Sequence, residues 1–286
     1  MKRRLSCVFC FLLVASGCAR AHITPTVLPR APERKPSLAQ PLAIAPPSQR
    51  IPLGEELEYS ISWWGIPVGT VIATATQAKP SEVGLRGSPF QKRLIKLDFR
   101  ARSNSYLQAF YPVRVELISL LDSDTQTPVR FQASVKRRWR LHESVVTFDW
   151  QKGTAFHQLP KKRTATVPVN PTTQDGLSMV YYARRLDFSV GQRIPLEITA
   201  DGKNWNLDGR ILRTGRMELK KLGSWPTVEG SVELAYPVPF FQGAKVHIWF
   251  SADEERIPLL AKIRSRIGPV TVVLIRRSQG SAFKIG

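Results

Sequence analysis

The chain alternates apolar and polar residues from Ile51 almost to its C-terminus. In the first such stretch Leu57, Tyr59, Ile61 and Trp63 are separated by glutamates and serines. A period of two residues places the apolar side chains on one face of a β-strand and the polar ones on the other. The pattern therefore predicts one-sided strands, which are typical of antiparallel sheets that have one face in water.

Twelve segments carry this alternation or a related short apolar run, and no helix-length segment recurs between them. Their ranges are 56–63, 71–75, 95–102, 113–121, 129–136, 141–150, 193–200, 205–214, 228–235, 244–251, 256–266 and 270–277. The absence of repeated helices argues against a parallel βαβ fold. We predict a mainly β fold with a large antiparallel sheet in one domain over residues 51–286, although an interruption near 152–172 would give two subdomains.

One segment departs from the period of two. Leu177, Val180, Tyr181 and Arg184 are spaced as on one face of a helix. Either Thr173 or Asp175 can supply the N-cap. We expect a short helix packed on the sheet, with Leu177, Val180 and Tyr181 turned inward.

Two adjacent tryptophans stand at the end of the first predicted strand, in the stretch SWWGIPVGT. Trp63 shares a strand face with the apolar residues before it, so we expect it in the core. Trp64 falls on the opposite, more polar face beside a turn. Trp64 alone is therefore a candidate contact for a ligand.

The N-terminus has the composition of an export signal. Residues 1–17 comprise a basic start, an apolar run too short to span a bilayer, and small residues before Cys18. This resembles a bacterial lipobox, which implies a signal peptide over 1–17, acylation of Cys18 and anchoring in the outer membrane facing the periplasm. An ordinary secreted protein is the alternative. Residues 18–50 are rich in proline and predict an extended tether.

The chain is strongly basic, with a net charge of +20. Behind an export signal we expect lipid headgroups or acidic envelope polymers as partners, and no nucleic acid. Arg138, Trp139 and Arg140 place cations around one indole, and Lys161–Arg163 follows in a predicted loop. These residues form a candidate anion-binding patch, although charge runs also serve simply to solubilise a surface.

The sequence shows no recognisable catalytic motif. It lacks the G-x-S-x-G and S-x-x-K nucleophile motifs, and its histidines do not have the spacing of zinc ligands. Asp175 and Ser178 lie three residues apart, a spacing that also serves helix capping. Asp253–Glu255 is interpreted as the tip of a hairpin. We expect no enzyme activity, no metal and no cofactor.

Three spaced blocks resemble a bacterial family known as domain of unknown function 3108. They are Gly54–Gly69, Gln174–Arg184 and Ile248–Gly268, within a match over roughly 51–277. The resemblance implies an exported, largely antiparallel β-domain and brings no known activity. By analogy with lipoprotein carriers, we further expect a curved sheet or half-barrel, with one short helix packed on it, holding acyl chains on a concave face.

These observations together predict a non-catalytic periplasmic lipoprotein that binds an apolar or anionic envelope ligand. The candidate ligand-binding residues are Trp64, Arg138, Trp139, Arg140 and Arg184, with arginines at the rim pairing with phosphates. A structural module that docks an envelope protein is one alternative. A hydrolase of an envelope polymer, which needs Asp175 and Asp253 in one cleft, is the other.

Overall fold

A computed structural model describes residues 50–78, 93–234, 244–265 and 268–279 of the chain. The predicted signal peptide 1–17, the lipidation site Cys18 and nearly all of the tether 18–50 lie outside the described residues.

The described residues form fifteen strands and two short helices. The first eight strands are β1 (Glu55–Trp63), β2 (Ile66–Ala78), β3 (Leu94–Ser103), β4 (Val113–Asp122), β5 (Pro128–Arg137), β6 (Arg140–Asp149), β7 (Thr154–Leu159) and β8 (Arg163–Pro168). The others are β9 (Thr173–Gln174), β10 (Arg193–Ala200), β11 (Lys203–Leu219), β12 (Gly223–Leu234), β13 (Ala244–Ser251), β14 (Pro258–Ser265) and β15 (Gly268–Gln279). The helices are α1 (Ser105–Phe110) and α2 (Ser178–Ala183).

All the strands belong to one sheet, in the order β8-β7-β6-β5-β4-β3-β2-β1-β15-β14-β13-β12-β11-β10-β9. Each neighbouring pair is antiparallel except β9 and β10, which are parallel. The first and last strands therefore meet in the middle of the sheet, where β1 pairs with β15. Among the described strands, β8 and β9 are the two edges, and no hydrogen-bonded ladder joins them.

The sheet curves so that its two outer regions touch through side chains. Asn204 Nδ2 in β11 donates to the carbonyl of Pro168 at the end of β8, over 2.5 Å. Gly202, in the turn between β10 and β11, lies against β8 so closely that a Cβ there would come within 2.9 Å of the Cβ of Ala165. The curvature brings the inner faces of both halves around one shared interior.

His157 in β7 makes a further contact across this seam. Its ring is fully buried. Its Nδ1 accepts a hydrogen bond from the Gly202 amide over 3.2 Å, and its Nε2 lies 2.9 Å from Thr199 Oγ1 in β10. Since an amide can only donate, Nδ1 must be unprotonated and the ring neutral. Burial accordingly lowers the pKa of His157 to about 4.

This contact predicts a loss of stability in acid. Because its folded-state pKa lies below the unfolded value, His157 stabilises fully above about pH 6.5, and its contribution of about 3 kcal/mol disappears as the pH falls towards 4. Urea unfolding of the parent and His157→Gln at pH 7.5 and 4.5 measures it. The parent should lose more stability on acidification than the variant, whereas equal losses would contradict this assignment.

The structure confirms the predicted mainly β, antiparallel, curved sheet, and each of the twelve predicted segments overlaps a strand. The region near 152–172 does not interrupt the sheet, because β7 and β8 continue it as an added hairpin. The local sequence pattern did not predict β7, β8, β9 or α1. The helix α2 lies where it was expected, with Leu177 and Tyr181 buried and Val180 half-buried.

Candidate functional site

The concave side of the sheet encloses a cavity of about 260 Å³. Both halves of the sheet line it, from β1 to β5 and from β10 to β15, and the segment around α2 completes the wall. Of the lining side chains in the described ranges only Arg184 is charged, and the others with a polar group are Tyr59 and Tyr181. The lining is otherwise aliphatic or aromatic apart from one glycine, so the cavity presents an apolar surface.

Part of this wall is incompletely covered. Ile248, Ala261 and Val272 are directly paired across β13, β14 and β15, and all three line the cavity while remaining half-buried. Core residues of a well-packed sheet are normally covered by other side chains. This row of apolar residues is therefore available to a ligand in the cavity.

The segment from Asp175 to Arg184 crosses one end of the cavity and forms its floor. Asp175 is fully buried and accepts hydrogen bonds from Ser119 Oγ at 2.6 Å and from the amides of Leu177 and Ser178, each at 2.8 Å. Burial raises the pKa of its carboxyl, and these hydrogen bonds oppose the rise. The N-cap of α2 is Leu177 and not Thr173 or Asp175 as predicted. Asp175 instead accepts from the two amides at the start of the helix and fastens this segment to β4 through Ser119.

The far end of the floor is held by a buried ion pair. Arg184 Nη1 and Nη2 donate to the two carboxylate oxygens of Glu55 at 2.7 and 2.8 Å, and its Nε donates to the carbonyl of Glu255 at 2.9 Å. Both side chains are almost completely buried. Burial alone would lower the pKa of Arg184, but the hydrogen bonds and charge of Glu55 raise it. A bidentate pair of this kind fixes the orientation of α2 against β1.

Arg184 therefore differs from its expected position at an open rim. It lies inside the wall, 5.1 Å from the centre of the Tyr181 ring, with its donors directed at Glu55 and Glu255. The sequence held a signal for this pair, because Glu55 precedes Leu57 and Tyr59 on the apolar face of β1. An acid on an apolar strand face requires a partner.

The other four candidate residues lie outside the cavity lining. Trp64 is in the β1–β2 turn with φ of 51° and a side chain that is 63% exposed. Its indole packs on Gly268, which leaves no space there for a side chain. Arg138, Trp139 and Arg140 are exposed at the β5–β6 turn. The predicted set thus divides into one interior residue and four at the tips of hairpins.

The acids proposed for hydrolysis do not share a pocket of the described residues. Asp175 is buried beneath α2, whereas Asp253 is exposed in the β13–β14 turn. There Asp253 Oδ1 accepts from Ser251 Oγ at 2.7 Å and from the Glu255 amide at 3.1 Å. Both carboxylates thus stabilise local chain geometry.

The described residues contain no group of three or more side chains placed to hold a metal ion. Neither of the helices in the described ranges is long and apolar enough to cross a membrane.

Two solved structures align with this chain. A β-barrel-like protein of domain of unknown function DUF1849 from Brucella abortus aligns with a TM-score of 0.51 and 10% identity, over 81% of this chain and 100% of its own. A protein from Bacteroides fragilis, described as exported and having a YmcC-like fold, aligns with a TM-score of 0.32 and 8% identity, over 83% and 100%. The first similarity shows the fold alone.

A comparison with curated proteins finds no match. The family model described as protein of unknown function (DUF3108) matches residues 58–275, which include all of β2 to β14 together with the floor segment. The spaced blocks noted in the sequence fall largely within that range. The chain therefore belongs to the DUF3108 family.

Proposed function

We propose that this protein is a non-catalytic envelope protein that binds an apolar chain, such as the acyl chain of a lipid, in the cavity of its curved sheet. The observation that carries the proposal is the cavity of about 260 Å³ in which Arg184 is the only charged residue among the described lining residues. An apolar cavity holds water poorly and accepts apolar ligands. Such pockets bind by removing ligand surface from water.

Burial of the apolar chain supplies the driving force for this binding. Burial of a methylene group contributes about 0.8 kcal/mol, so eight buried methylenes would supply about 6 kcal/mol before the cost of immobilising the chain. The half-buried row of Ile248, Ala261 and Val272 would lose its remaining contact with water in the same step. The floor does not need to be formed on binding, because Asp175 and the Glu55–Arg184 pair already hold it.

The sequence supports an envelope location for this binding. A lipobox-like segment ending at Cys18 and a proline-rich tether would place the domain at the periplasmic side of the outer membrane. An acyl-chain ligand is abundant there. The proposal therefore joins a lipid-anchored domain to a cavity that accepts lipid.

Two measurements test the proposal. The full chain isolated from bacterial envelopes with Cys18→Ser, which removes the predicted attachment site, should carry lipid that solvent extraction and mass spectrometry identify. The delipidated protein should then bind a fluorescent undecanoic acid probe saturably, at one probe per chain, and oleic acid should displace it. Absence of extracted lipid together with unsaturable probe binding would refute the function.

A further inference from the structure

Large apolar side chains are exposed at one end of the sheet. Trp64 and Ile66 are 63% and 65% exposed, Tyr106 and Phe110 are 83% and 77% exposed, and Trp139 is 77% exposed. Leu141 joins them, 54% exposed. Single exposed apolar residues are ordinary on protein surfaces, but a group at one end indicates an interaction site.

Hydrogen bonds show that the turns carrying these residues are neighbours. Asn104, the N-cap of α1, donates from its side chain to the Pro67 carbonyl at 2.6 Å, and its amide donates to Val68 at 2.9 Å. The amide of Arg138 donates to the Pro112 carbonyl at 2.9 Å on the other side of α1. The β1–β2 turn, the α1 connection and the β5–β6 turn therefore form one continuous surface.

The helix α1 shows that the exposure is built into this surface. Leu107 is half-buried and packs against the core, whereas Tyr106 and Phe110 are directed outward. Residues four apart on a helix lie on the same face, so these two rings stand side by side. None of the six residues of α1 is buried.

Positive charge surrounds these rings. Arg102, Arg114 and Lys136 are directly paired across β3, β4 and β5, and all three are exposed. Within the described residues, none of the three forms an ion pair with an acid. Like charges directly opposite each other destabilise a sheet, so a negatively charged partner would relieve this row.

The neighbouring turn adds further cations. The guanidinium of Arg138 lies 4.9 Å from the Trp139 ring centre and 5.7 Å from that of Tyr111. Burial lowers the pKa of His142 in the adjacent strand, and the charges of Arg137, Arg140 and Lys161 lower it further. The cations of this turn therefore add to the positive charge of the row.

We propose that this end of the sheet, the tip surface, docks on the surface of a bilayer containing anionic lipids. It consists of Trp64, Ile66, Tyr106, Phe110, Trp139 and Leu141 with the cations Arg102, Arg114, Lys136, Arg138 and Arg140. Tryptophan and tyrosine favour the boundary between headgroups and acyl chains, and adjacent basic residues bind anionic headgroups. Ile66 and Leu141 suit hydrocarbon better than they suit nucleic-acid bases, which stack on aromatic rings.

The tip surface lies at the end of the sheet opposite the floor of the cavity. Val270 in the cavity wall pairs with Trp63, the residue before Trp64, whereas Glu55, the partner of Arg184 in the floor, lies at the start of β1. The cavity has one end at the floor and an opposite end near the tip surface. Docking through the tip surface would therefore turn this opposite end towards the bilayer. The docking itself does not depend on a ligand in the cavity.

Cosedimentation with vesicles tests the docking. The chain from residue 19 onward, which lacks the predicted signal peptide and attachment site, should sediment with vesicles of phosphatidylglycerol and phosphatidylcholine in 0.1 M salt, and at least tenfold less with pure phosphatidylcholine. Trp139→Ser combined with Phe110→Ser should weaken binding at least tenfold, and so should Arg102→Gln combined with Lys136→Gln. All four side chains are exposed, so the melting temperature should not fall in either variant, and this measurement verifies folding.

Matched controls lie elsewhere on the outer surface. Phe156 is 42% exposed on β7, and Arg210 is exposed on β11. Phe156→Ser and Arg210→Gln should retain parental binding. Equal losses in these controls, binding that is indifferent to lipid charge, or binding to an acidic protein or duplex DNA without binding to vesicles would each overturn the proposal. The probe titration of the cavity uses no vesicles, so failure of either proposal is recognised separately.

Discussion

Replacement of Glu55 by glutamine should lower the free energy of unfolding by about 3–5 kcal/mol, because the buried Arg184 keeps its charge and loses its compensating partner. Both side chains are almost inaccessible to solvent, with exposures of 4% for Arg184 and 0% for Glu55. Water cannot replace the lost carboxylate without opening the packing between α2 and β1. Urea unfolding monitored by tryptophan fluorescence measures the change.

Two controls separate the buried charge from a general effect of mutation. Glu55→Leu combined with Arg184→Met removes both charges and should recover most of the stability lost in Glu55→Gln, since an apolar pair of similar volume often replaces a buried ion pair without loss. Asp208→Asn, which breaks the exposed pair with Arg193, should leave the unfolding midpoint unchanged. A change in Glu55→Gln no larger than in Asp208→Asn would contradict the role of the pair.

The sheet could be predicted because its information is local. One-sided strands such as β1 and β5 show their alternation over eight or more residues, and this alternation survives in the structure as alternating burial. The helix α2 was predictable for the same reason, since Leu177 and Tyr181 repeat at helical spacing. Both features depend on the side chains of one segment and the face that it buries.

The features that were missed depend on distant partners or on weak local patterns. β8 carries no buried residue, and β7 has only three alternating buried positions, so their pairing depends on attachment to β6. Glu55 and Arg184 are separated by 129 residues, and only the folded sheet brings them together. The sequence shows that Glu55 lies on the apolar face of β1, but it does not show that Arg184 is its partner.

The candidate residues also differ in whether a local sequence pattern could predict them. Charge and exposure at Arg138, Trp139 and Arg140 could be predicted from a run of cations around one indole. The contribution of Tyr106 and Phe110 could not, because α1 is only six residues long and follows no strong pattern. Whether a cavity remains inside the sheet depends on side chains from eleven strands, and no single segment contains that information.

A bulky side chain in the cavity should strongly weaken ligand binding. Ala261→Phe places a ring in the cavity wall between Ile248 and Val272, where the side chains are half-buried and space remains. Binding of an undecanoic acid probe should weaken more than tenfold, because the ring occupies volume that the acyl chain needs. The fold should persist, since the added atoms enter a cavity and do not displace a packed core.

Thr271→Phe provides the matched control for this variant. Thr271 lies between the cavity-lining residues Val270 and Val272, so alternation along β15 directs it to the opposite face. The substitution adds the same ring without a change of charge. Probe affinity in this variant should remain within twofold of the parent.

The most direct test of the account is therefore the probe binding isotherm of Ala261→Phe beside those of the parent and Thr271→Phe, all carrying Cys18→Ser and all verified as folded by circular dichroism. A saturable isotherm in the parent and in Thr271→Phe, weakened more than tenfold in Ala261→Phe, would place the ligand in the cavity. Equal affinity in all three folded proteins would show that the cavity does not bind the acyl chain.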